Sequence, residues 1–321
     1  NRDTTVNAST IVLRINGQTV TPKVTSDANG ATVAYTLTPL PAPNSTITAR
    51  LTFNDSQAVE QSSEWSFKIT YKALDAANRR AGPGLDRGFA VRFVQAPQGS
   101  AMENTLQRAE DQLAPRSTLP TYISTNGVAD VINYNKIDGV SGAFEGDIVV
   151  PWLEPDTNGS DDFALEIVAY LDLTAGVHRF GVITDDGYKV TSGNTLSDLS
   201  GQALGFHNGG PANETFDFVV PQAGLYPFRM VWYERGGAAY AEWFSVDTGT
   251  GERTLINDPA QPAKAVKAYR TIVAGPAVKL ESARSVLGPF VEDTTAALDP
   301  GARTLTINLP TEFTRFFRVS S

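Results

Sequence analysis

Apolar and polar side chains alternate along most of the chain, the period of two expected of strands with one buried face. In "TIVLRING" Ile11, Leu13 and Ile15 share a face, and Asn16-Gly17 tolerates the positive φ angles of a two-residue hairpin. The pattern repeats at Val33, Tyr35 and Leu37, at Ile47, Ala49, Leu51 and Phe53, and at Trp65, Phe67 and Ile69. Residues 1–72 therefore predict six or so short strands, an immunoglobulin-like sandwich without a disulfide. A glycine, proline and charge-rich stretch, "ALDAANRRAGPGLDRG", predicts a linker over residues 73–83.

Residues 84–247 form the largest block. Its helix is expected in "SAMENTLQRAEDQLAP", where Ser100 and Glu103 have capping-box spacing, Leu106, Ala109 and Leu113 recur at helical spacing, and Pro115 closes the run. The segments "FALEIVAYLDL", "GVHRFGVI", "TFDFVV", "GLYPFRMVWYE" and "AAYAEWFSV" read as strands of an antiparallel sandwich, jelly roll or barrel. Residues 248–275 read as a second linker, in which "INDPAQPAKAVKAYR" is either a short helix or an irregular connection, and residues 276–321 as a small β module. The expectation is a mostly β chain of tandem sandwich domains with one inserted helix.

The final module is too small to bury its own core comfortably. Leu280, Phe290, Leu305, Ile307, Phe316 and Phe317 require a cover, either the middle domain or a strand from another subunit. The polar residues 1–10 are the expected donor in the second case, which would build a filament.

Composition narrows the chemistry. Among 321 residues there is no cysteine, which excludes disulfides, thiol catalysis and cysteine-held metals, and the only histidines are His178 and His207. No apolar run has the length of a membrane span, and "NRDTTVNAST" lacks the basic and apolar parts of a signal peptide. The net charge is −9, yet residues 128–187 hold twelve acids against two bases. That segment disfavours nucleic-acid phosphates and favours cations, and it reads either as a solvated acidic face or as a cation site.

Hydrolase and nucleotide motifs fail. No G-x-S-x-G, P-loop or dinucleotide fingerprint occurs, and neither histidine sits in a pattern expected of a base. A carboxylate pair of the glycosidase kind stays open, because acids are plentiful. Calcium matches the residues better, since it takes six to eight oxygens from carboxylates, amides and carbonyls. Asp185-Asp186-Gly187 offers two acids on a turn, and "DTNGSDD" offers Asp156, Asn158, Ser160, Asp161 and Asp162, although that second stretch reads more readily as a polar turn and lacks the EF-hand glycine.

"AGVHRFGVITDDGYKV", followed by "AGLYPFRMVWYERGGAAYAEWFSV", resembles the PA14 superfamily over residues 84–247, and "RGFAVRFV" is similar to the family's opening strand. The resemblance implies a β-sandwich found on adhesins, toxins and glycosidases, usually for carbohydrate binding. In lectin members the Asp-Asp peptide is cis and both carboxylates hold calcium, which in turn holds sugar hydroxyls; those roles pass to Asp185 and Asp186. A further asparagine and loop carbonyls complete the family's site. Asn208 in "HNGGPAN" and Glu234 in the "ERGGAAY" turn are the candidates here, with Tyr188 as a candidate sugar contact beside Trp232 and Tyr233. The inserted helix over residues 102–114 is additional to the family pattern. Two function classes follow: a non-catalytic bacterial cell-surface or extracellular adhesin with calcium-dependent glycan binding, or a structural subunit of a filament or surface layer.

Overall fold

The computed structural model describes residues 4–28, 30–136, 140–273, 279–292, 297–299, 304–306 and 315–320. The chain is mostly β and divides into two compact units, residues 1–72 with 247–252, and residues 73–246 with 253–321.

In the first unit a sheet runs in the order Gln18–Val20, Val12–Ile15, Thr46–Asn54, Glu60–Lys68, and Lys23–Asp27 pairs with Gly30–Ala34 as a separate hairpin. Asn16 and Gly17 have φ values of 50° and 80°, so the Asn-Gly signal does form the two-residue turn that pairs Ile15 with Gln18. Leu13, Ile47 and Ala49 are buried. The hairpin side contributes Ala31, Val33, Tyr35 and Leu37 to an apolar cleft of about 380 Å³ over the sheet. Residues 5–10 are not the free strand donor that their polarity suggests. Thr5 O accepts from Ser56 N–H at 2.8 Å, Asn7 N–H donates to Asn54 O at 3.0 Å, and Ala8–Thr10 is a single 3-10 turn capped by Asn7. Short polar side chains bond locally to backbone here, which favours a turn over an extended arm.

The second unit stacks two sheets that are antiparallel apart from one short parallel pair, Asn133–Asn135 with Ile148–Val149. Its main elements are β1 (Phe89–Gln95), α1 (Leu106–Leu113), β2 (Ile123–Ala129), β3 (Phe163–Leu173), β4 (Gly176–Asp185), β5 (Tyr188–Ser192), β6 (Gln202–His207), β7 (Ala212–Val220), β8 (Gly224–Glu234) and β9 (Tyr240–Val246). One sheet has the order β2-β1-β3-β8-β5-β6, and in the other β9-β4-β7 run side by side. Phe93, Phe163, Phe180, Phe228, Trp232 and Trp243 fill the space between them, each essentially fully buried.

The outer face of the first sheet is covered as well, by α1. Leu106, Ala109 and Leu113 lie against Val94, Ala164, Val231 and Tyr233, which explains why β3 and β8 are apolar almost without alternation. The helix is shorter than expected. Its cap is Thr105, whose hydroxyl accepts from Arg108 N–H at 3.2 Å, whereas the Ser100 hydroxyl donates to Pro97 O in the preceding turn.

The stretch expected as a linker over residues 248–275 supplies strands instead: Arg253–Leu255 pairs with β9, and Lys267–Ile272 pairs with β3 and with Gly84–Arg87. Ala268 is fully buried there. The first expected linker is also tied down, through an Arg80–Leu225 bridge. At the end of the chain Lys279–Ala283 pairs with Val291–Glu292 and Phe316–Ser320, and Ala297–Asp299 pairs with Thr304–Thr306. Leu280 is buried, Phe290, Phe316 and Phe317 are half-buried, and Ile307 lies outside the described residues. Among the described residues no helix is long and apolar enough to cross a membrane.

Candidate metal centre

The Asp185-Asp186-Gly187 turn lies where the chain leaves β4 in one sheet and enters β5 in the other. The end of β8 runs beside it. Asp186 N–H donates to Tyr233 O at 3.2 Å, Tyr233 N–H donates to Gly187 O at 3.2 Å, and the Trp232 indole donates to Asp185 O at 3.1 Å. No side chain fits at Gly187, because a Cβ there would stand 2.4 Å from the Tyr233 hydroxyl and 2.6 Å from His207 O. The Asp185–Asp186 peptide is cis.

This packing brings Glu234, the last residue of β8, against the pair. Carboxylate oxygens of Asp185, Asp186 and Glu234 lie within 4.8 Å of one another. Asp186 is held firmly: Oδ1 accepts from Asn104 Nδ2 at 2.9 Å and Oδ2 from Arg235 N–H at 2.9 Å. Glu234 is fully buried, yet neither of its carboxylate oxygens has a hydrogen-bond partner. Burial, with the charges of Asp186 and Asp185, raises its carboxyl to about 8; Lys136 and the nearby Gly236 amide oppose this only in part. Asp185 is raised to about 6, first by burial and then by Asp186, against Lys136. Lys136 itself donates to Gly237 O.

A second cation, Arg108 of α1, is spent on backbone oxygens and on the Gln112 side chain, whose Oε1 accepts from Nη1 at 2.7 Å. It donates from Nε to Glu103 O at 2.8 Å, and from Nη1 and Nη2 to Phe163 O and Glu234 O, each at 3.1 Å. Three converging carboxylates, one of them buried and unpartnered, repel one another unless a proton or a cation enters. An all-oxygen donor set of this kind suits a hard divalent ion.

The remaining sequence candidates are placed differently. Asn208 spends its amide oxygen on Leu106 N–H at 2.7 Å, at the start of α1, and on the Tyr233 hydroxyl at 3.3 Å. Tyr188 is part of the core, its hydroxyl donating to Glu214 at 3.2 Å, and Trp232 and Tyr233 are fully buried too. Tyr188 and Trp232 are taken inward between the sheets and Tyr233 is covered by α1, so none of the three offers a face to a sugar. The "DTNGSDD" stretch acts as a set of backbone staples: Asn158 Oδ1 accepts from Gln98 N–H at 2.8 Å and Asp162 Oδ1 from Met102 N–H at 3.0 Å. His178 bonds Thr174 O and His207 pairs with Glu214. Asn104 carries no signal in the sequence, where it falls inside the expected helix over residues 102–114; the structure starts the helix at Leu106 and leaves Asn104 in the segment before it.

No protein-family model matches the chain, and no curated protein does. Solved structures similar to it include the PA14 sugar-binding domain from an RTX adhesin, at 20% identity and a TM-score of 0.39, over 54% of this chain and 96% of that one. Another is the A domain of Epithelial Adhesin 9 from Candida glabrata in complex with Galβ1-3GlcNAc, at 12% identity and a TM-score of 0.44, over 64% and 98%. A third is the PA14 domain of the antifreeze protein MpAFP, at 16% identity and a TM-score of 0.37, over 62% and 97%.

Proposed function

We propose that the second unit binds calcium at Asp185, Asp186 and Glu234, and that the ion presents open coordination positions to hydroxyls of a glycan. The chain is then a non-catalytic extracellular module of adhesin type. The observation that carries this reading is Glu234, a fully buried carboxylate with two unpartnered oxygens beside two further carboxylates. Burying such a group without compensation is costly, and a divalent cation compensates all three charges together. Calcium is favoured over magnesium because it accepts carboxylates in flexible geometry and keeps several positions for outside oxygens. Asp185 is only partly buried, which leaves the cluster a side open to solvent. Sugar as the outside ligand follows from the resemblance of the Asp-Asp-Gly strand end to PA14 lectins.

Calcium titrated calorimetrically into chelator-stripped protein should give one saturable site. A glycan panel should show binding in calcium, none in chelator, and none for the Asp185→Asn, Asp186→Asn double variant. Calcium binding without any glycan would reduce the site to a structural one, and no calcium binding at all would remove the reading.

A further inference from the structure

We propose that Asn104 is a fourth ligand of this cation site, delivered by the segment that leads into α1, so that an element outside the PA14 strand pattern completes the metal centre. The inference rests on the calcium reading above.

Asn104 touches the cluster directly, since its Nδ2 donates to Asp186 Oδ1 at 2.9 Å. Its own amide oxygen is buried and has no partner. A purely structural asparagine, placed only to donate to Asp186, leaves that oxygen unexplained, because buried acceptors ordinarily find a donor. Calcium takes neutral amide oxygens together with carboxylates, and three carboxylates alone fall short of the six to eight oxygens it prefers. Rotation of the amide by half a turn exchanges its oxygen and nitrogen, so Asn104 can serve Asp186 as a donor without the ion and serve the ion as a ligand.

The surroundings hold Asn104 where a ligand has to be. The guanidinium of Arg108 reaches backwards to Glu103 O, the residue preceding Asn104, and across to Glu234 O, the residue whose side chain faces the same cluster. One side chain thereby sets the spacing between the backbones of both. Arg108 is itself buried, with its charge over the Tyr233 ring at 5.1 Å, so it cannot swing away to solvent. A side chain that holds the backbones on both sides of a ligand in this way keeps the ligand in register.

The test compares the intact chain with Asn104→Ala and Asn104→Asp. Two readouts are used: calcium affinity by calorimetry, and the number of waters on bound terbium from luminescence lifetimes in H2O and D2O. A ligand role predicts that Asn104→Ala weakens calcium about tenfold or more and adds about one water to the bound ion. Asn104→Asp, which keeps an oxygen but loses the donated hydrogen bond, should recover most of the affinity and the original hydration. Melting in chelator confirms that both variants fold. Equal affinity and hydration in wild type and Asn104→Ala would overturn the ligand role while leaving the calcium reading intact. Asn104→Asp as weak as Asn104→Ala would also overturn it, by showing that only the donated hydrogen bond matters. A wild-type chain that binds neither calcium nor terbium would remove the underlying reading and this inference with it.

Discussion

Strand β8 carries two charged constellations five residues apart, around Arg229 and around Glu234, and they are built on opposite principles. Arg229 is almost fully buried and donates through two nitrogens to Glu110 at 2.9 and 2.7 Å and through Nε to Glu166 at 2.5 Å, while Lys189 stands 3.5 Å from Glu110. Two cations meet two anions there. Burial alone would raise the Glu110 carboxyl, yet the hydrogen bond and charge of Arg229 hold it below its ordinary value. At Glu234 three anions converge, Arg108 is committed to backbone oxygens and to Gln112, and the carboxyls of Asp185 and Glu234 are pushed up. The same strand thus holds a network in which cations balance carboxylates and one in which three carboxyls converge, to be relieved by a proton or a cation. A completed network pins α1 to the sheet. An incomplete one in the same low-dielectric setting is the place where the proposed cation would enter.

The comparison breaks most readily at Arg229. Arg229→Met keeps much of the volume and leaves Glu110 and Glu166 partly buried without their cation, for an expected loss of about 3–5 kcal/mol in denaturant unfolding. Adding Glu110→Gln and Glu166→Gln to that variant should recover much of the loss. A loss below about 1 kcal/mol would class the network with ordinary surface ion pairs.

The next effect belongs to calcium. An ion that binds only the native state contributes about 2.7 kcal/mol at a hundredfold excess over its Kd. The melting temperature of the intact chain should therefore rise with calcium and fall in chelator, and Asp185→Asn with Asp186→Asn should remove the response. Arg229→Met, although less stable, should keep it. A response lost in both variants would show that the two constellations are not independent.

The pH dependences of the two regions should carry opposite signs. Glu110 has a depressed carboxyl in the fold, so its contribution is present above the unfolded pKa and lost as pH falls through the folded value. Glu234 is raised from 4.5 to about 8, so the folded state holds its proton more tightly, and without calcium stability should decline as pH rises across that window. Glu234→Gln should flatten this decline and raise metal-free stability at pH 8 by about 1–3 kcal/mol, the scale of an unsatisfied buried polar group. For the same reason calcium affinity of the wild type should climb with pH over that window, with protons released on binding. A Glu234→Gln profile parallel to wild type would contradict the raised carboxyl.

What could be read from the sequence was whatever one segment decides for itself. The Asp-Asp-Gly turn, the alternation of the strands and the good helix formers between Leu106 and Leu113 are local, and the structure places a turn, strands and a helix there. Pairings between distant segments were not legible. "KAYRTI" follows a proline-rich stretch and reads as the end of a linker, yet it lies against β3, about a hundred residues earlier. Glu234 was only one of several acids and amides near a glycine turn until β8 was set beside the Asp185 turn. Tyr188 and Trp232 have the same period as any strand aromatic, and which side faces the opposite sheet is decided by register, not by residue type. Asn104 depends on all of this together, on the turn, on the end of β8 and on how α1 covers the sheet.

The smallest expected effect asks whether the start of α1 couples the two regions. Thr105 caps the helix through its hydroxyl, Asn104 precedes it at the cluster, and Glu110 further along the helix belongs to the Arg229 network. Thr105→Ala should cost about 1 kcal/mol, the usual value of a lost N-cap. The helix has further anchors in Arg108 and Glu110, so the loss should fray only its first turn. Calcium affinity should then fall by less than in Asn104→Ala, because the Arg108 clamp on Glu103 and Glu234 remains. If Thr105→Ala weakens calcium as much as Asn104→Ala does, the cap rather than the clamp positions the asparagine. If it leaves stability unchanged as well, the first turn is held by Asn208 and Leu106 alone, through the 2.7 Å bond from Leu106 N–H to the Asn208 amide oxygen. Thermal melts in chelator, run beside calcium titrations of the same preparations, separate these outcomes.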